Sequence, residues 1–182
     1  PYNKIAKAGG LVMGARKHLN TKTFRHLAAH ESQTVGLDRG TAPFSPGPID
    51  YHDFAGTQWR LPSATLALFG VYLTAGVGIA GVNLCKLGSL GAVACGHRGP
   101  WAAMGDWNVT PAELQASEWL QQVRGVVITP TNVSWTSQGG RMIDYVVVSE
   151  SVLHLIAGVW ADASGSFKSH MGICLNMRTS PE

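Results

Sequence analysis

Five side chains in this sequence have the types and spacing that hydrolysis of a phosphodiester uses. Asp106 and Asn108 close the apolar run that begins at Trp101, Asp144 sits inside the apolar run from Arg141 to Ser149, His170 opens the last apolar run, and Tyr72 lies near the end of Leu66 to Leu73. A carboxylate can hold a hard cation such as Mg²⁺ (or Mn²⁺) or activate water. An amide can orient that water, and an imidazole held by a carboxylate can stabilise a charged phosphoryl group. Asp144 is the anomaly among them, because a carboxylate amid so much apolar sequence is costly unless something pairs with it. The chemistry requires these scattered positions to meet at one place.

The surrounding pattern predicts the elements that would bring them together. Strand side chains alternate faces, so Asp106 and Asn108 point the same way if the strand from Trp101 persists that far. Thr110-Pro111-Ala112-Glu113 forms a capping box with proline at the first helical position. The helix it opens is predicted to bury Ala116, Trp119, Leu120 and Val123 and to end at Gly125. The acid and amide thus sit at a strand-to-helix junction, where α/β sheets place ligands. Leu66 to Leu73 is apolar on both faces and reads as an interior strand. Further strands are predicted at Gly9 to Ala15, Val126 to Thr129, Arg141 to Ser149, Val152 to Trp160 and His170 to Leu175. His154 falls on the Val152 to Trp160 strand and reads as a satisfied or edge histidine. From Asn20 to Gly56 no period holds and Pro43, Pro46, Gly47 and Pro48 punctuate the chain, which predicts a long loop. His26, His30, Glu31, His52 and Asp53 lie in that loop without the recurring spacing of a metal site.

Composition bounds the answer. At 182 residues the chain suits a single domain, 1–182. It is 45% hydrophobic and only 14% charged, and its net charge of +3 with pI near 8.9 permits a phosphate-bearing partner without demanding one. Cys85, Cys95 and Cys174 are odd in number and form no CxxC pair, which argues against a disulfide framework or a zinc cluster and for a reducing, intracellular address, nuclear or cytoplasmic. No basic-then-apolar leader, and so no signal peptide, is seen at the start of the chain. Ala64 to Cys85 carries no charge and has the length of a membrane span. Gly70, Gly76, Gly78 and Gly81 divide it better into a strand, a turn and a helix, so no membrane span is predicted. Gly76-x-Gly78-x-x-Gly81 also matches the dinucleotide fingerprint, with Asp106 at a later strand end as the ribose-binding acid. Against a dinucleotide-binding module, the sequence after Asp106 predicts one helix and then strands in series.

Gly105-Asp106-Trp107-Asn108, Arg141-Met142-Ile143-Asp144-Tyr145 and Ser169-His170 resemble, in order and interval, three signatures of the endonuclease/exonuclease/phosphatase, or DNase I-like, family. Those signatures are Gly-Asp-Phe/Trp-Asn, Arg-Ile-Asp-Tyr and Ser-Asp-His, and here a Trp135-bearing loop precedes the second. Gly9-Gly10-Leu11-Val12 and Val71-Tyr72 resemble earlier strands of that family. The similarity runs from Gly9 to Leu175, with residues 20–56 unmatched. The resemblance implies an α/β fold, a four-layered sandwich of two mixed β-sheets flanked by helices, here lacking its first strands. It implies a metal-dependent phosphodiester hydrolase, nuclease-like, with nucleic acid as the foremost substrate class. Family members in mobile elements nick DNA, while others cut RNA or phospholipid head groups.

Residue by residue, the resemblance implies that Asp106 holds the metal and helps activate water, that Asn108 orients the water, and that Tyr72 contacts the phosphate. Asp144 would hold His170, which would face the scissile phosphate. Two departures bear on activity. Ser169 stands where the family has aspartate, and the glutamate and asparagine of the family's first strands have no counterpart. A hard cation prefers several oxygen ligands, so these losses predict a weakened site. They leave three readings: an active enzyme, a truncated or decayed copy, and a non-catalytic interaction protein on the same fold.

Overall fold

Runs of branched and aromatic residues become strands, and the glycine-punctuated stretch between them becomes a turn and a helix. The computed structural model describes residues 21–23, 54–61, 64–97, 99–164 and 169–178. Strands β1 (Thr21–Thr23), β2 (Phe54–Arg60) and β3 (Thr65–Tyr72) come first, followed by helix α1 (Gly81–Gly96) and β4 (Trp101–Asp106). Helices α2 (Pro111–Gln115) and α3 (Trp119–Val123) lead to β5 (Gly125–Ile128) and β6 (Asp144–Ser149). A 3₁₀ helix (Glu150–Leu155), β7 (Ile156–Asp162) and β8 (Gly172–Met177) complete the order.

Among the described residues, six strands form one mixed sheet in the order β1-β2-β3-β4-β6-β5, and β7 pairs with β8 in a second, antiparallel sheet. Within the larger sheet only β3 and β4 run parallel, and α1 makes the crossover between them. The uncharged stretch from Ala64 is therefore a strand, a turn and a helix, as its glycines predict. No helix among the described residues is long and apolar enough to cross a membrane.

The period-two alternation sorts the core into two layers. Ala67, Phe69, Val71, Trp101, Ala103, Tyr145 and Val147 face Leu87, Leu90, Val93, Trp119, Leu120 and Val123 of the helices. Leu66, Ala102, Val146 and Val148 face the other way, against Val152, Leu155, Val159, Ile173 and Leu175 of the second sheet and its approach. Helices, mixed sheet and second sheet are thus three stacked layers.

Five local expectations change. The segment after the capping box is two short helices rather than one, because Ser117 turns both its amide and its hydroxyl onto the Leu114 carbonyl, at 3.1 and 2.6 Å, and interrupts the ladder. Leu114 is buried in place of Ala116, which is exposed, and Arg124 in the left-handed region, not Gly125, closes α3. His154 lies on the 3₁₀ helix rather than a strand, since β7 starts only at Ile156. Two pieces of the expected 20–56 loop, Thr21–Thr23 and the start of Phe54–Arg60, are paired strands. The predicted strand at Gly9 to Ala15 and the loop residues His26, His30, Glu31, His52 and Asp53 lie outside the described residues.

Candidate active site

The strand register brings three of the five residues into one row. Tyr72 of β3 pairs with Asp106 of β4, and Asp106 pairs with Asp144 of β6. Alternation places all three on the face shared with Leu66, Ala102, Val146 and Val148, the face that the second sheet covers. His170, just before β8, comes from that second layer. Its Nδ1 lies 3.0 and 3.1 Å from the two carboxylate oxygens of Asp144, and its Nε2 lies 3.8 Å from Oδ2 of Asp106. Asp106, Asp144 and His170 each offer a ligand atom, all within 4.8 Å of one another.

Asn108 reaches the site by a route other than strand alternation. The strand ends at Asp106, and Asn108 adopts a left-handed φ of 50°, a conformation asparagine tolerates well. Its backbone N–H donates to Asp106 Oδ1 at 3.0 Å, and its side-chain amide donates to the Leu73 carbonyl at 2.8 Å. A turn closed on its own aspartate therefore replaces the shared strand face. Between them, Trp107 is fully buried, stacks on Tyr145 with ring centroids 5.4 Å apart, and donates its indole N–H to the Tyr145 carbonyl at 3.0 Å. That anchor lets the backbone turn sharply on either side of it.

Sequence reasoning missed Thr136, which is completely buried. Its hydroxyl oxygen accepts from the amides of Ile143 and Asp144 at 3.1 and 2.9 Å, and the hydroxyl is also hydrogen-bonded to the Asp144 carboxylate. Its carbonyl accepts from Met171 N–H at 2.8 Å, and the amide of Gln138 donates to the Ser169 carbonyl at 3.0 Å. The loop after Trp135 thus straps the His170 segment to the start of β6. No periodicity marks a residue whose partners are backbone groups distant in sequence. Ser169, the departure from the family pattern, is exposed beside His170.

The electrostatics follow from burial. Burial, reinforced by the charge of Asp144, pushes the Asp106 carboxyl above its usual range, although hydrogen bonds from Asn108 and the nearby His170 pull it down. Burial likewise raises Asp144 against the opposing pull of His170 and Thr136. For His170, burial disfavours the charged ring, but the hydrogen bond and charge of Asp144, then the charge of Asp106, outweigh it and raise the ring above 6.5. A raised histidine stabilises the folded chain fully below pH 6.5, and that contribution fades as pH climbs through the folded value. An NMR titration of the ring should therefore give a midpoint above 6.5, falling on Asp144→Asn; a midpoint unmoved by that substitution would contradict the pairing.

A buried carboxylate, Asp144, beside a partly buried one, Asp106, whose carboxyl its charge raises, forms a site that gains from a cation. Mg²⁺ is held by one or two carboxylates with water and substrate oxygens completing its shell, so Asp106 with its neighbour Asp144 fits such an ion. The glycine fingerprint has a different local purpose. Gly76 and Gly78 have positive φ, and buried Asn83 ties the loop down by accepting from Thr74 N–H at 2.8 Å and donating to the carbonyls of Thr74 and Gly78, both at 2.9 Å. Asp106, the ribose acid of the dinucleotide reading, is engaged instead with Asn108 and His170. The antiparallel β6 beside β4 also departs from a doubly wound sheet.

No family model matches the sequence, and no curated protein matches it. Solved structures do. The endonuclease domain of TRAS1, a telomere-specific non-LTR retrotransposon, superimposes with a TM-score of 0.59 at 16% identity, over 79% of this chain and 70% of that one. The AP endonuclease LMAP from Leishmania major superimposes with a TM-score of 0.55 at 15% identity, over 70% of this chain and 55% of that one. The fold is that of the endonuclease/exonuclease/phosphatase proteins. Its mixed sheet carries Tyr72, Asp106 and Asp144, and its second sheet delivers His170. The endonuclease/exonuclease/phosphatase fold expected from the three sequence signatures is therefore the one observed, although the described residues form three layers rather than four and the second sheet is an antiparallel pair rather than mixed.

Proposed function

We propose that this chain is a metal-dependent phosphodiester hydrolase acting on nucleic acid in the manner of an endonuclease. The observation that carries the reading is the imidazole of His170, clamped by the buried carboxylate of Asp144 and turned toward Asp106, where two sheets meet. A structural ion pair would need only the Asp144 contact. The second carboxylate, facing the other ring nitrogen, makes the group a site rather than a brace. Both superimposed structures are endonucleases by name, which favours nucleic acid among phosphodiesters.

In this reading Asp106, with Asp144 beside it, would hold a divalent cation that supplies charge neutralisation at the phosphate and a lowered water pKa. Asp106 also accepts the proton of the attacking water, and Asn108 acts on that water through Asp106, whose orientation it sets. His170 faces the scissile phosphate and donates from Nε2 to a phosphoryl oxygen as charge builds there. Asp144 accepts from Nδ1–H, fixes the orientation of the ring and stabilises the positive charge of the doubly protonated imidazolium that donates from Nε2. Tyr72, next in the row, contacts the phosphate through its phenol.

Conversion of supercoiled plasmid to nicked circles in the presence of Mg²⁺, set against RNA and phospholipid substrates, tests the reading. Nicking that vanishes in Asp106→Ala supports it. Tight NAD(H) binding without nicking, lost on Gly78→Val, would replace it with the dinucleotide-binding reading.

A further inference from the structure

Lys86 is the only Asp, Glu, Lys or Arg between Arg60 and Arg98. It belongs to α1, whose exposed positions include Val82, Leu84 and Cys85. A lysine kept for solubility would extend its ammonium into water from such a surface. Lys86 instead turns back onto the end of β3. Its ammonium donates to the Thr74 hydroxyl at 2.9 Å and to the Tyr72 carbonyl at 3.4 Å, and it sits 6.0 Å from the centroid of the Tyr72 ring. One cation thus holds both the backbone and the ring of the residue that lies beside Asp106 in the sheet.

We infer that Lys86 is a positioning residue for Tyr72, fixing the tilt of the phenol ring so that its hydroxyl is aimed at a phosphate held beside Asp106. The inference rests on the phosphodiesterase reading, because only there does the aim of the phenol matter. The ring face is electron-rich and draws the ammonium, while Thr74 and the Tyr72 carbonyl fix where the ammonium sits. The ring consequently loses its freedom to swing about the end of the strand. A binding-site phenol that is already aimed contributes more where charge develops than one that must be ordered on each encounter. The sequence marks only a lone cation in a long uncharged stretch; its partner follows from the crossover of α1 over the end of β3.

The experiment uses the full chain with Lys86→Met, Lys86→Arg, Tyr72→Phe and the Lys86→Met/Tyr72→Phe double variant, assayed on bis-p-nitrophenyl phosphate with Mg²⁺. Lys86→Met is expected to lower kcat about fivefold with KM little changed, Lys86→Arg to recover most of that loss, and Lys86→Met to add nothing on the Tyr72→Phe background. Additive losses in the double variant would overturn the inference, since a plain tie between helix and strand acts independently of the phenol. A second arm does not depend on activity. In protein labelled with 3-fluorotyrosine, the ¹⁹F resonance that disappears in Tyr72→Phe should move in Lys86→Met; an unmoved resonance refutes the clamp. Wild-type protein without turnover sinks the phosphodiesterase reading, while the ¹⁹F arm still decides the contact.

Discussion

Replacing His170 with alanine should lower phosphodiester cleavage by about four orders of magnitude while the chain stays folded. The size follows from the two jobs that one ring performs. Proton donation and charge stabilisation at a phosphoryl oxygen are each worth roughly a hundredfold or more, and the ring's placement between two carboxylates serves both. The stability loss is smaller. His170 is partly exposed, with 32% of its side chain open to solvent, and its removal chiefly leaves the Asp144 carboxylate without its ion pair. An unpaired buried carboxylate costs roughly 1–3 kcal/mol, lessened because Asp144 keeps its hydrogen bond from Thr136 and can take up a proton. Melting should fall by about 3–10 °C for a chain of this size. Asp144→Asn should reproduce most of the activity loss, since the ring then loses the group that fixes its orientation and stabilises its positive charge. A His170→Ala variant that cleaves within tenfold of wild type would remove the imidazole from the mechanism.

Gly105→Ala should be strongly destabilising although it adds a single methyl group. Gly105 has a φ of 148°, where side chains are rarely found, and a Cβ there would collide with the Val71 carbonyl oxygen and lie 3.0 Å from the Val71 nitrogen. Those are backbone atoms of β3, hydrogen-bonded in the sheet on both sides, so they cannot yield as a flexible side chain would. Strain of this kind plus the displaced strand should cost roughly 3 kcal/mol or more and lower the melting temperature by about 10 °C. It should also separate Tyr72 from Asp106, whose pairing runs through this point. Gly76→Ala is the informative comparison. Its φ of 74° is also unfavourable, but open space surrounds the added methyl, so about 1 kcal/mol is expected. Circular dichroism melts of the two variants measure the difference, and near-equal melting temperatures would show that the close approach at Gly105 is not what the glycine provides.

The sequence carried the strands well because burial on both faces leaves an unmistakable signature. Leu66 to Leu73 and Val146 to Val148 are unbroken apolar runs, and both are interior strands. Asp144 was legible as a buried charge in need of a partner, and His170 is that partner. Asn108 was placed correctly beside Asp106 but for the wrong reason, since a left-handed turn does what alternation was expected to do. The break at Ser117 is invisible in the sequence because a helical apolar period continues through it, and only the competing hydrogen bonds to Leu114 reveal it. Thr136 could not be found by pattern at all. Its value lies in three-dimensional closure, one hydroxyl joining residues that no spacing rule links. The tie from Lys86 to Tyr72 needed the crossover of α1 to be known before a lone cation could be assigned a partner.

In the proposed function, Asp106, Asp144 and His170 form a cation-dependent hydrolytic centre. Turnover of bis-p-nitrophenyl phosphate by the purified chain, followed while Mg²⁺ is added, chelated with EDTA and restored, addresses it most directly. Hydrolysis should appear with the ion, stop on chelation, return on re-addition, and be lost in Asp106→Ala protein that melts like wild type. Turnover indifferent to Mg²⁺, or retained by Asp106→Ala, would contradict that function.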